Sequence, residues 1–479
     1  MVELEQLLQQ HFGYTTFRPG QKEVIEAIIA GKDVVALLPT GMGKSLCYQL
    51  PGYILNGPVL IISPLLSLMQ DQVEQLKRFG EKRVIALNSF LHGTEKKVAL
   101  QNLSNYRFIF TSPEMIASKM IQTVFQNLRF SLIVVDEAHC ISQWGFDFRP
   151  DYLKITEWIP RQQRPPILAL SATATKTVVN DIKTYLNMTN SFEYIHSVER
   201  ENLHYDVVKT QSVEEKFDWI INHIKQTEGP GIIYSQSRKK TEAFAEVLNS
   251  NCIRAAAYHA GMGPEDRQFI QQQFLSGELE WVCATTAFGM GVHKENIRQV
   301  LHDHIPATMA NYMQEVGRAG RDGKDALAIL VYTPRDEDYT KYVVTEDLPE
   351  LFHVELFKEY VRSGENPKKM LDLQQINETG FRVLSYWMEQ LPAEEVAQKL
   401  ESLKQQKIEQ IFQVAAFVKG EHCMREKLVA YFDQKLEQKP MNCCHYCGIK
   451  YDDIIEKRSL ASERKELYSW EERLYSILP

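Results

Sequence analysis

The chain has 479 residues, 44% of them apolar and 24% charged, with a formal net charge of -8. That length and apolar share suit about three domains, each with a core of its own. The acidic balance excludes binding to nucleic acid through overall positive charge, while leaving room for a local basic track. No apolar run approaches membrane-spanning length, and Met1 to Gln10 alternates leucines with Glu and Gln where a leader would be apolar. Of eight cysteines, Cys47, Cys140, Cys252 and Cys283 are dispersed and four gather late, which is a reduced-compartment pattern with one metal candidate. A cytoplasmic protein with no membrane partner is expected.

From Gln21 to about Met188, short apolar strands alternate with amphipathic helices. A helix is expected over Gln21 to Ala30, closed by Gly31, and strands over Val34 to Leu38 and Val59 to Ile62. A helix over Leu66 to Phe79, closed by Gly80, and a strand over Phe108 to Phe110 follow. Such alternation implies an α/β architecture with a parallel sheet covered on both faces. Between the strand at Val34 and a helical pattern at Leu46 to Leu50 lies Leu38-Pro39-Thr40-Gly41-Met42-Gly43-Lys44-Ser45. Strand, glycine loop and helix start are what a triphosphate needs: backbone N–H groups face the phosphates, Lys44 reaches the β and γ oxygens, and the Ser45 hydroxyl suits Mg²⁺. Leu38 stands where the full pattern has its first glycine.

A second element is the apolar run Ser131 to Val135, which delivers Asp136 and Glu137 at its C-terminal end, where α/β sheets bind ligands. Asp136 suits Mg²⁺ through water, and Glu137 suits orienting and deprotonating an attacking water. A second strand and helix alternation runs from Leu203 to about Thr333, with a boundary near Asn190 to Asn202 and no phosphate loop of its own. Near its end, Arg318 and Arg321 stand three apart, expected on one face of a helical turn, where guanidinium suits a bridging phosphate.

After Thr333 the pattern becomes helical, with amphipathic stretches over Glu355 to Arg362, Phe381 to Gln390 and Glu394 to Val418. Phe381 to Leu391, Pro392 and Ala393 to Leu403 admit a helix-turn-helix-like pair, although a plain helical bundle is the preferred reading. The late cysteines are Cys423, Cys443, Cys444 and Cys447, and the last two have the two-residue spacing of a zinc knuckle.

These residues resemble the superfamily 2 helicases, and the intervening segments narrow the resemblance to the RecQ family. The segment Phe12 to Gln21 is similar to that family's adenine-reading motif, and Asp136 to Tyr152 to its aromatic-rich loop. Ser171-Ala-Thr173, Tyr258 to Met262 and Ala284 to His293 fill further helicase positions in order. The resemblance is close over roughly residues 10 to 335 and returns around 404 to 448.

The resemblance implies two RecA-like parallel-sheet motor domains at 1–195 and 196–336, a helical segment at 337–403, a mostly helical zinc-binding subdomain at 404–450 and a charged helical tail at 451–479. It further implies ATP, Mg²⁺ and Zn²⁺ as cofactors. Tyr14, Arg18 and Gln21 would read the adenine or a phosphate. Gln314, Arg318 and Arg321 would reach the nucleotide from the second domain. Trp144, Phe148 and Arg149 would contact single-stranded DNA, with His139, Ser171 and Thr173 coupling that contact to hydrolysis. Cys423, Cys443, Cys444 and Cys447 would hold zinc, although adjacent Cys443 and Cys444 depart from the family's spacing and leave His422 or His445 as alternative ligands.

The function so implied is ATP-dependent 3′→5′ DNA unwinding on single-stranded and forked DNA in repair, recombination and replication-fork processing. Its partners would be a single-stranded-DNA-binding protein or recombination proteins. An RNA helicase is a competing reading, disfavoured because His139 stands where its Asp-Glu-Ala-Asp tetrad has Asp. A third is an ATP-switched translocase or recruitment protein without strand separation, disfavoured by the presence of both Lys44 and Glu137. The roughly thirty residues after Cys447 are too few for the winged helix and terminal helical domain of longer family members, so the strand-separating element is unassigned.

Overall fold

The computed structural model describes residues 4–458 apart from 65, 88–92, 117, 143–148, 156–163 and 289–293. The expected DNA contacts Trp144 and Phe148, and the expected tail helix over 463–476, lie outside the described residues.

Two all-parallel sheets dominate the molecule. The first contains β1 (Val34–Leu37), β2 (Val59–Ile62), β3 (Val84–Leu87), β4 (Phe108–Thr111), β5 (Leu132–Val135), β6 (Ile167–Ser171) and β7 (Phe192–Ile195) in the order β3-β4-β2-β5-β6-β1-β7. Its central strands are continuous apolar runs because helices cover both faces, and all four residues of β1, β2 and β5 are buried. The register pairs Leu37 with Ser171 and Val135 with Ala169, so the C-terminal ends of β5, β6 and β1 stand side by side. Edge strand β7 has alternating burial and falls inside the segment expected to link the two sheets.

The second sheet contains β8 (Leu203–Lys209), β9 (Gly231–Tyr234), β10 (Ala255–Tyr258), β11 (Trp281–Ala284), β12 (Gln299–His302) and β13 (Ala326–Tyr332) in the order β10-β11-β9-β12-β13-β8. One face of its core continues into the cysteine-bearing region: Val414, Phe417, Cys423, Leu428, Phe432 and Cys444 pack in the same cluster as Tyr205, Tyr312 and Ala328.

The helical segment has its own core of Val354, Met370, Phe381, Leu384, Trp387, Val396 and Leu400. Its last helix, Ala393–Lys419, is continuous across position 403 and runs straight into the cysteine region. The Glu378–Gln390 helix leans on the first sheet's side through Arg382 with Glu114 at 3.1 Å and Lys154 with Glu389 at 2.8 Å. Among the described residues, no helix is long and apolar enough to cross a membrane.

Candidate functional site between the two sheets

Strand β1 ends in loop 38–45, which turns into the Leu46–Ile54 helix. Gly41 and Gly43 take left-handed backbone, with φ of +93° and +70°, the conformation of an anion-binding nest. A carbonyl facing an anion would repel it, and here the loop's carbonyls are engaged elsewhere. Arg18 donates to the Gly41 carbonyl, and Gln21 donates Nε2 to the carbonyls of Met42 at 2.8 Å and Gly43 at 3.1 Å. Arg18 and Gln21 thus shape the loop itself. Tyr14, 54% exposed, stands in the segment before them with its ring accessible for stacking.

Strand β5 delivers the carboxylates. Glu137 adopts φ 48° and ψ 46°, a left-handed conformation that costs a residue of this type about 1 kcal/mol or more and is found mainly where function demands it. Its Oε1 lies 3.7 Å from Lys44 Nζ, and its Oε2 lies 3.3 Å from His139 Nδ1. The same Nδ1 lies 2.9 Å from Ser171 Oγ, which donates to the Thr173 carbonyl at 3.1 Å. With its proton committed to Thr173, Ser171 accepts from His139, so the imidazole carries its proton on Nδ1. Burial, then the charge of Glu137, pushes Asp136 up to about 6 against the pull of Lys44; a cation beside it would reverse that shift. The Tyr152 hydroxyl donates to the Asp136 carbonyl at 2.9 Å, and Arg149 donates to the Pro64 carbonyl at 3.1 Å.

The second sheet supplies the facing wall. The Met309–Val316 helix is capped by Thr308, which accepts from Asn311 N at 3.0 Å, and it carries buried Gln314. The helix ends at Val316, so Arg318 and Arg321 lie on the turn that follows it and not on a helical face. That turn reaches the phosphate loop directly. Thr40 donates its hydroxyl to the Gly317 carbonyl at 3.2 Å, and a Cβ on Gly41 would stand 3.2 Å from Arg321 Cδ. Burial, then the charges of Arg318 and Arg200, pushes Arg321 down to about 9. Three crowded guanidinium groups beside a nest of N–H donors make a site short of negative charge, which a triphosphate would supply. The loop, Ser45 and Asp136 form a donor set that fits a nucleotide with Mg²⁺.

The four cysteines converge as well. The thiol sulfurs of Cys423, Cys443, Cys444 and Cys447 all lie within 4.8 Å of one another, with Cys423 Sγ 3.7 Å from Cys443 Sγ and 4.0 Å from Cys444 Sγ. A tetrahedron with Zn–S of about 2.3 Å has edges of about 3.8 Å, so the set fits zinc. Adjacent Cys443 and Cys444 both reach the cluster because Asn442 adopts φ +55° and Cys444 is bridged to Tyr205 and Gly448. His445 is instead held by Asp206 at 2.8 Å.

The model of the DEAD/DEAH box helicase family matches residues 18–182, and that of the helicase conserved C-terminal domain matches residues 215–323. The chain is 34% identical to the ATP-dependent DNA helicase RecQ of Haemophilus influenzae over 95% of its own length and 66% of that protein. It is 40% identical to the probable ATP-dependent DNA helicase RecS of Bacillus subtilis over 100% of its own length and 98% of that protein. The chain belongs to the RecQ family of ATP-dependent DNA helicases. Solved structures agree with this at the level of fold. The helicase MrfA bound to DNA matches with TM-score 0.58 and 19% identity over 71% of this chain and 50% of that one. Yeast Dbp5 bound to RNA and ADP BeF3 matches with TM-score 0.56 and 15% identity over 72% and 91%.

Within this RecQ-family site, sequence reasoning did not find Arg200, Asn202 and Arg425. Arg200 and Asn202 hold the arginine turn, and Arg425 holds the segment that carries them. Arg425 meets Arg200 across 225 positions of sequence, and buried pairing of a lone arginine leaves no periodic signal.

Proposed function

We propose that this chain hydrolyses ATP to move 3′→5′ along single-stranded DNA and to separate strands, acting in repair, recombination and replication-fork processing in the cytoplasm. The observation that carries the reading is the direct contact of the two walls, Thr40 with Gly317 and Gly41 with Arg321. A nucleotide bound there would be shared by both domains, so its presence or loss would change how they sit together.

In this reading loop 40–45, with Lys44 as its cation, holds the triphosphate, and Tyr14 stacks on the adenine. Ser45 and Asp136 would hold Mg²⁺, which when bound neutralises charge between the phosphates. Glu137 orients the attacking water and accepts its proton. Gln314, Arg318 and Arg321 meet the transferring phosphoryl group from the second domain. Trp144, Phe148 and Arg149 engage DNA bases and phosphates, and His139, Ser171 and Thr173 link that contact to Glu137. The four cysteines hold structural zinc. The domain division at 195 and 336 follows from the same reading.

The test is strand displacement on 3′-tailed, 5′-tailed and blunt DNA duplexes, with ATP turnover followed in parallel and Glu137→Gln as control. Displacement from the 3′ tail alone, lost in the control, is expected. DNA-stimulated turnover without displacement would make the chain a translocase that needs a partner to open strands, and stimulation by RNA alone would overturn the DNA reading.

A further inference from the structure

The turn that carries Arg318 and Arg321 is gripped from behind by the segment joining the two sheets. Arg200 donates Nη1 to the Gly317 carbonyl at 3.2 Å and Nη2 to the Gly320 carbonyl. Asn202 donates Nδ2 to the carbonyls of Gly320 at 2.8 Å and Lys324 at 2.7 Å. Gly320 takes φ +58°, and a Cβ there would stand 2.5 Å from Asn202 Nδ2, so only glycine allows this approach. The Gly317 carbonyl is therefore shared among Arg200 behind it, the Thr40 hydroxyl of the phosphate loop in front, and Arg321 Nε of its own turn at 3.4 Å.

The joining segment is itself clamped by the cysteine region. Arg425, 1% exposed, lies on the Met424–Tyr431 helix two residues after Cys423. It donates to the carbonyls of Arg200, at 2.7 Å, and Leu203, and it pairs with the Glu199 carboxylate. Gln434 accepts from Val198 N at 3.0 Å and donates to the His196 carbonyl at 3.3 Å. Neighbouring Asp433 accepts from Lys176 N at 2.8 Å, which ties the same region to the first sheet's Lys176–Tyr185 helix. A buried guanidinium that donates to two carbonyls of one segment and pairs with that segment's carboxylate fixes its path, because releasing it would leave a charge unpaired in the interior.

We propose that Arg200 is a positioning residue for ATP turnover, and that the cysteine region, through Arg425, sets the segment that holds Arg200 in place. The inference rests on the reading of Arg318 and Arg321 as nucleotide contacts. Arg200 touches two carbonyls of the arginine turn and acts through the placement of Arg321 against Gly41. A planar guanidinium spans both carbonyls at once, whereas an ammonium group serves one at a time. The cysteine cluster thereby has a part in catalysis at a distance: it anchors Cys423, hence the helix that carries Arg425, hence the joining segment.

The test uses the full chain and the variants Arg200→Ala, Arg200→Lys, Arg321→Ala and the Arg200→Ala/Arg321→Ala double. Zinc content and melting temperature are measured on each, and single-stranded-DNA-stimulated ATP turnover is set beside the Kd for a fluorescent ADP analogue. Arg200→Ala is expected to lower kcat by about ten-fold or more with Kd within about two-fold, Arg200→Lys to recover part of the loss, and the double to turn over no more slowly than Arg321→Ala. Gln434→Ala, which removes two clamp bonds near the surface, should give a smaller loss of the same kind, and Arg425→Lys a larger one. Arg200→Ala at the wild-type kcat per folded molecule would overturn the proposal, as would a further multiplicative loss in the double. An unchanged kcat in Gln434→Ala and folded Arg425→Lys alike would remove the cysteine region's part. Arg321→Ala at the wild-type rate would instead sink the underlying reading of the arginines.

Discussion

Thr40 of the phosphate loop donates its hydroxyl to the carbonyl of Gly317, 3.2 Å away on the far side of the gap between the two sheets. The contact joins residues 277 positions apart and places the arginine turn against the loop. On the proposed reading, a site assembled this way is complete only when two bodies meet, which would give ATP a mechanical role as well as a chemical one.

The relay from Glu137 through His139 to Ser171 makes a first prediction. Ser171→Ala removes the oxygen that accepts from His139 Nδ1 and leaves the Lys44 and Glu137 contact untouched. The stimulation of turnover by DNA is expected to fall about three- to ten-fold, the equivalent of one hydrogen bond worth roughly 0.5–1.5 kcal/mol, with basal turnover retained. Full stimulation in the variant, measured by coupled ATPase assay across a DNA titration, would contradict the relay.

The cysteine cluster makes a second. Purified chain should carry one zinc, and Cys447→Ser should weaken its retention against a chelator by more than about 100-fold, beyond the loss of an outer partner. His445→Ala should leave zinc content unchanged, because that ring serves Asp206. Metal analysis with the two outcomes reversed would make His445 the ligand.

Much of this arrangement was legible in the chain. Short buried strands such as Val59–Ile62 and the glycine loop between β1 and its helix are local features, and local features leave local patterns. Edge strand β7 was not legible, because Phe192–Ile195 alternates half-buried and exposed positions in a stretch that reads as linker. The arginine pair was found, but its placement on a helical face was not borne out: the helix stops at Val316, and the following turn brings Gly317 and Gly320 to their partners. The grip of Arg200 and the clamp of Arg425 depend on tertiary packing across more than a hundred residues, which no periodicity encodes.

Burial gives a third prediction, at low pH. His304 is buried with Nδ1 donating to the Tyr234 carbonyl at 3.2 Å, and burial pushes it down to about 3. Between that value and about 6.5 the unfolded chain binds a proton that the folded chain refuses, so stability falls as pH falls through this window. From pH 7 to pH 5 the loss from this group amounts to about 2 kcal/mol. Urea unfolding at the two pH values should show a smaller drop in His304→Gln, which keeps a donor for the carbonyl; equal drops would assign the acid sensitivity elsewhere.

The measurement closest to the central claim is DNA-stimulated ATP turnover by Arg321→Ala, with ADP affinity determined on the same preparation. If the second domain completes the site of the first, kcat falls by at least about 100-fold while ADP binding, held by the phosphate loop, stays within about three-fold. Turnover within a few-fold of the wild type would mean that the first domain hydrolyses ATP alone, and that the contact between Arg321 and Gly41 is packing without a catalytic consequence.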